Sequence, residues 1–154
     1  YWDKAATAGA GDYTAGVKMG RTPDGRYIVA DVVHEQLSTH QRDERVLEIL
    51  RRENLITYLE REGGSSGKDV AVYQARIFAG FAVFSETVTG SKETRAQPFS
   101  AQCEAGNVYL VRARWNNAYI DELCMFPNGA HDDMVDSSSG AFSKIAVSGS
   151  ALLW

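Results

Sequence analysis

Four stretches of the chain place carboxylates where a polypeptide is expected to change direction. Asp3 closes a short apolar run begun by Trp2, and Glu60 closes Leu55 to Glu60, with Glu62 two residues on and so on the same strand face. Asp132 and Asp133 open an amphipathic stretch, and Asp136 lies one helical turn later. Asp12 follows a Gly-Ala-Gly turn. Acids at the ends of separate elements are how hard cations are held, because Mg²⁺ and Mn²⁺ want oxygen ligands and keep several waters. Two such ions about 4 Å apart activate a water and stabilise the leaving oxygen of a phosphodiester. The plainer account of Asp132 and Asp133 is helix capping, and Glu60 and Glu62 also suit the solvent face of an edge strand. Asp3 is harder to account for that way, since it sits between Trp2 and the Ala5-Ala6 pair.

The elements that must position these acids are readable in outline. Thr14 to Arg21 alternates as a strand, Pro23-Asp24-Gly25 is a turn, and Tyr27 to Val33 is a β-branched and aromatic strand, which together predict a hairpin. Ser38 and Gln41 have capping-box spacing, and the helix that follows carries Val46, Leu47, Ile49 and Leu50 on one face. Its Arg42, Arg45, Arg51 and Arg52 alternate with Asp43, Glu44, Glu48 and Glu53 as a solvated face. Leu55 to Glu60 is a fourth strand, Gly63 to Gly67 a loop, Asp69 to Ala79 a helix and Phe81 to Phe84 a short buried strand. Tyr73, Phe78, Phe81 and Phe84 are expected in the core. A helix follows over Lys92 to Glu104, with Pro98 in its first turn or breaking it. Then come a strand at Val108 to Arg112, a helix at Asn117 to Met125 stopped by Pro127, and a last helix from His131 to Val147. Three early strands followed by alternating helices and strands predict an α/β sheet of mixed order.

Composition narrows the classes. At 154 residues, one domain over 1–154 is expected. A 44% hydrophobic and 23% charged chain is globular, which excludes disorder. The longest apolar stretch, Ile77 to Phe84, is far short of a bilayer span, so no membrane partner is expected. The chain opens on Tyr1 without a charged-then-apolar leader, as expected for a piece of a longer, non-secreted protein. Cys103 and Cys124 form no CxxC and are expected as reduced, buried thiols of a cytoplasmic protein. The net charge of −4 counts against a simple basic nucleic-acid module. Candidate DNA contacts are therefore local: Lys4, Lys68, Lys92, Arg95, Arg112 and Arg114. Gly63 to Lys68 falls short of a Walker loop, since three residues separate Gly63 from Gly67 and Asp69 follows Lys68 where a hydroxyl should hold Mg²⁺.

An ordered set of motifs resembles the nuclease domain of bacteriophage large terminase subunits. It begins with Trp2-Asp3, Ala5-Ala6-Thr7 and Gly11-Asp12-Tyr13-Thr14, then Asp31-Val32-Val33 and Leu59-Glu60-Arg61-Glu62 through Gly67-Lys68. It continues with Thr89-Gly90-Ser91-Lys92, Thr94-Arg95-Ala96, Pro98 and Ala101-Gln102 to Asn107-Val108. Trp115-Asn116, Asp121-Glu122-Leu123 and Phe126-Pro127 follow, and the most specific piece is Gly129, then His131-Asp132-Asp133 and Val135-Asp136. The resemblance implies a ribonuclease H-like mixed β-sheet flanked by α-helices, and a Mg²⁺- or Mn²⁺-dependent two-metal endonuclease that cuts concatemeric viral DNA during genome packaging. It implies Asp3, Glu60, Asp132 and Asp133 as catalytic metal ligands, with Asp12, Glu62 and Asp136 as auxiliary ones and His131 near a carboxylate or DNA. Where the family often continues with Ala-Leu-Ser, this chain has Ser137-Ser138-Ser139, a change expected to affect packing and to remove no ligand. Nothing resembles the ATPase motor of the full-length relatives. The implied partners are double-stranded DNA and, in the full-length protein, that motor, the small terminase subunit and the portal, in the cytoplasm of a bacterial host. A junction resolvase of the same fold and a non-catalytic DNA- or partner-binding module are the alternatives.

Overall fold

The computed structural model describes residues 1–3, 13–61 and 66–146. The elements run β1 (Trp2–Asp3), β2 (Thr14–Arg21), β3 (Tyr27–Glu35), α1 (Thr39–Glu53), β4 (Thr57–Glu60), α2 (Ser66–Ile77), β5 (Val83–Glu86), α3 (Lys92–Glu104), β6 (Val108–Leu110), α4 (Asn116–Met125) and α5 (Asp133–Ala146). The strands form one sheet in the order β5-β4-β1-β2-β3-β6. β1, β2 and β3 pair antiparallel, while β4 runs parallel to β1, β5 to β4 and β6 to β3. The expected mixed order is thus present.

Two hydrophobic clusters cover the two faces. Trp2, Val33, Val46, Leu50, Leu59 and Phe78 pack the face under α1. Ala15, Val17, Tyr27, Val29, Phe99, Tyr119, Met134 and Phe142 pack the face under α3, α4 and α5. Strand alternation converts this into a rule for the acids. Trp2 and Leu59 are register partners and both point to the α1 side. Asp3 and Glu60, one residue on, therefore lie next to each other on the α5 side.

A bulge resets the alternation in β3. Val29 faces Met19 and Asp31 faces Lys18, so Ala30 is the extra residue. Before it, Tyr27 and Val29 lie on the α5 face; after it, Val32 and His34 do.

The local elements follow their chemistry. Ser38 and Gln41 form the full capping box, and Asn54 ends α1 in the left-handed conformation (φ 46°) with its N–H on the Leu50 carbonyl at 2.7 Å. Several expectations need correction. Pro98 lies inside α3, which continues through it; Ala96 and Phe99 on either side are buried, with Phe99 against Phe142 of α5. Arg42 and Asp43 are not solvated but form a buried ion pair with a 2.6 Å bond. β5 is an edge strand, so Phe84 is exposed; Tyr73 is exposed on α2, and Phe78 alone of the four aromatics is fully buried. Cys103 and Cys124 are exposed free thiols. α5 starts at Asp133, not His131. Among the described residues, no helix is long and apolar enough to cross a membrane.

Tyr1 lies flat against α5 at Gly140, where a methyl group would come within 2.4 Å of its ring. Gly140→Ala is expected to lower stability by about 1–3 kcal/mol, the usual cost of overpacking, read as a lower thermal midpoint. Gly90→Ser, with open space around its Cβ but φ at +87°, tests strain without the clash and should cost less.

Candidate functional site

The acids meet where β1 and β4 end and α5 begins. α5 is drawn onto β1 and β2 by Ser137, whose hydroxyl accepts the Asp3 N–H at 3.1 Å and donates to the Ala15 carbonyl at 2.9 Å. Ser138 bonds Tyr119 at 2.6 Å, and the Ser138 and Ser139 hydroxyls turn back to the Met134 and Val135 carbonyls. All three serines are buried, so the Ser137-Ser138-Ser139 run packs the helix and takes no ligand position.

Around Asp3 the charge is unbalanced. Burial, then Glu60, Asp136 and Asp133, raises its carboxyl from 3.8 to about 8, with Lys92 opposing. Glu60 is raised as well, by burial and then Asp136, against the pull of Arg95 and the Tyr1 hydroxyl, which donates to Oε2 at 3.5 Å. Burial and then Glu60 and Glu86 hold the Tyr1 phenol upward too, so it remains a donor. Among the described residues neither Asp3 nor Glu60 has a cation within ion-pair distance.

The α5 acids are balanced differently. Asp136 is buried, with Arg95 on Oδ1 at 2.6 Å and Lys92 on Oδ2 at 2.7 Å. Lys92 also holds Asp132 at 2.6 Å. Burial pulls the Lys92 ammonium down, but its bonds to Asp132 and Asp136 outweigh that and leave it raised. Asp133 is apart from this pair. Its Oδ2 lies 3.8 Å from His34 Nε2 and 4.0 Å from His131 Nδ1. The positive end of α5 favours both Asp133 and Asp136.

The structure thus brings Asp3 and Glu60 together with Asp133 and Asp136, and sets Asp132 outward on Lys92. Lys92 and Arg95, read from sequence as phosphate contacts, are engaged with carboxylates. His131 is exposed beside Asp133, and Arg112 and Arg114 are exposed. Lys4, Asp12, Glu62 and the Lys68 side chain lie outside the described residues. A cavity of about 160 Å³ adjoins the acids, lined by Tyr1, Glu60, Glu86, Arg95, Asp136 and Ser139. A larger one, about 600 Å³, opens toward the start of β4 and the end of α1 and is mostly apolar, with Met19, Ile28, Ile49 and Ile56 among its walls. Its charged walls include Lys18 and Glu53, which are paired with each other; the smaller cavity adjoins Glu60 and Asp136 and is the functional candidate.

Among the described residues no three His, Cys, Asp or Glu side chains are already drawn into a metal cage. The donor set nevertheless fits a hard dication. Its ligands are carboxylate oxygens; Asp3 and Glu60 are raised first by burial and then by neighbouring acids, and a divalent ion would offset both penalties.

Two residues of this region were given no role from sequence. Glu122 accepts the Met134 and Val135 N–H groups at 2.7 and 3.3 Å, capping α5 from the end of α4. Its place before a Pro-Asn-Gly turn that folds α4 back on α5 was the available signal. His34 depends on the β3 bulge, which leaves no mark in the sequence.

The chain matches the family described as Terminase RNaseH-like domain over residues 1–144. The large terminase nuclease of thermophilic phage G20c, crystallised with bound zinc, superposes at a TM-score of 0.61 with 18% identity, covering 94% of this chain and 78% of that one. The same nuclease with bound cobalt gives 0.56 at 15% identity, covering 87% and 82%. Among curated protein sequences none matches significantly. With a mixed sheet carrying acids at the ends of β1 and β4 and the start of α5, and a family match running through all three, the chain has a ribonuclease H-like fold and belongs to the terminase RNaseH-like domain family.

Proposed function

We propose that the chain is a divalent-metal-dependent endonuclease domain that cleaves double-stranded DNA, and that it serves a large terminase in cutting concatemeric viral genomes during packaging. The observation that carries this reading is the pairing of Asp3 with Glu60 at adjacent strand ends, both raised by burial and by the α5 acids and neither ion-paired among the described residues. Mg²⁺ or Mn²⁺, when bound, supplies an activated water and stabilises the leaving oxygen.

The chain's own groups have separable tasks. Asp3 and Glu60 would hold the cation from the sheet, and Asp133 would hold it from α5. Tyr1 orients Glu60 through its hydroxyl. Asp136, fixed by Arg95, locks α3 to α5 and keeps the helix start in register with the strands. Lys92, 44% exposed, pairs with Asp132 and Asp136 and so offsets part of the acidic charge beside the site. An ATPase motor, the small terminase subunit and the portal would direct the cut in a full-length protein in the bacterial cytoplasm.

Incubating supercoiled plasmid with the chain tests the reading. Nicked and linear products are expected with Mn²⁺ and none with EDTA. Intact plasmid under both conditions would reject it in favour of a non-catalytic module, and cleavage restricted to four-way junctions would make the chain a resolvase.

Binding without cutting should be weak and strongly salt-dependent. A net charge of −4 repels the duplex, and only local cations and bound metal oppose it. Labelled duplex titrated with Ca²⁺ at 50 and 200 mM salt should lose affinity by about tenfold or more, as for a protein neutralising a few phosphates; salt-independent tight binding would contradict this.

A further inference from the structure

His34 stands between two carboxylates without bonding either. Its Nε2 is buried and has no hydrogen-bond partner among the described residues. Asp133 Oδ2 lies 3.8 Å away on one side and Glu122 Oε2 4.0 Å away on the other. The ring is held by Tyr13, stacked at 4.3 Å between centroids. Glu122 is itself fixed, because its other oxygen caps α5 at Met134 and Val135. A buried nitrogen left unsatisfied costs stability, so its position calls for a partner that arrives in another state of the site.

The geometry points to His34 as a positioning residue for Asp133. It rests on the metal-dependent nuclease reading and deepens it. A carboxylate that turns one oxygen to a cation offers the other to an outer donor, and such donors fix the ligand's orientation. Nε2 is less than 1 Å outside hydrogen-bond reach of Asp133 Oδ2. A shift of Asp133 Oδ2 by less than 1 Å toward His34 would close that bond and leave the other carboxylate oxygen for the cation, with Glu122 as the alternative acceptor that keeps the imidazole in place. The bulge at Ala30 is what turns His34 to this face; without it, His34 would face α1.

The test is Mn²⁺ affinity, measured by calorimetry, for the wild type, His34→Phe, His34→Gln and Asp3→Asn, with EDTA melting curves alongside. His34→Phe keeps the ring on Tyr13 and removes the donor; about tenfold weaker Mn²⁺ binding is expected, the lower end of the range for an outer-shell partner. His34→Gln places an amide N–H near the same point and should restore most of the loss. A merely structural His34 would instead shift both variants' EDTA melting alike and leave the Mn²⁺ affinities equal to wild type. Should His34→Phe not fold, the wild type decides: the ¹⁵N resonance of His34 Nε2 should move on loading with Mg²⁺, and an unmoved resonance overturns the proposal. If the wild type and Asp3→Asn bind Mn²⁺ equally poorly, the nuclease reading falls and this inference with it. If Asp3→Asn loses binding while His34→Phe does not, the inference alone is overturned.

Discussion

Asp3→Asn should abolish cleavage and leave the chain at least as stable without metal. An amide cannot hold the cation that activates water, so activity should fall about a thousandfold or more, the scale for losing a stabiliser of developing charge. Stability moves the other way because the substitution removes a carboxyl whose charged form is penalised first by burial and then by neighbouring acids. The pH dependence has a definite sign. Folding raises the Asp3 carboxyl from 3.8 to about 8. Between those values the folded chain holds a proton that the unfolded chain releases. The stability tied to this group is therefore full below 3.8 and is lost as pH climbs to about 8. The advantage of Asp3→Asn over wild type, measured as the difference in melting temperature in EDTA, should grow across that window and then level off. Saturating Mn²⁺ should reverse the order. At a hundred times its Kd a ligand adds about 2.7 kcal/mol to the wild type, and the variant should gain less.

Arg95→Ala should be the most destabilising of the charge deletions near the site. Asp136 is only 3% exposed on its side chain and depends on Arg95 and Lys92. Removing one partner of a buried pair costs about 3 kcal/mol, with Lys92 left to hold part of the charge. Arg95 also donates to the Gly90 carbonyl at 3.2 Å, so the entry to α3 loosens with it. In a chain of this size the thermal midpoint should fall by roughly 6–12 °C. Arg112→Ala, at an exposed position, should change stability by less than about 0.5 kcal/mol. Adding Asp136→Asn to Arg95→Ala should recover part of the loss, since the orphaned charge is then gone. A double variant no more stable than Arg95→Ala would mean that the guanidinium acts through packing and not through Asp136.

Periodicity, caps and turns made most of the elements readable. The Ser38 box and the Pro23-Asp24-Gly25 turn act locally, and each forms as its residues dictate, as do β2 and β3 as strands, apart from the bulge at Ala30. The exceptions are governed at a distance. Arg42 and Asp43 look like surface charges in a helix repeat, yet tertiary packing buries them together. Pro98 is tolerated where propensity forbids it, because its neighbours are anchored. The acids at element ends were legible as residues, and the Trp2–Leu59 pairing explains why two of them come together. The division of labour among Asp132, Asp133 and Asp136 was not legible. It turns on which oxygen Lys92 and Arg95 reach from α3, some forty residues earlier in the chain.

If Asp3, Glu60 and Asp133 hold a hydrolytic cation, anomalous diffraction from crystals soaked in Mn²⁺ should show a peak bounded by the three carboxylates, with Lys92 still near Asp132 and Asp136, and that peak should be lost in Asp3→Asn crystals. Manganese bound elsewhere, with Asp3 and Glu60 unliganded, would contradict it.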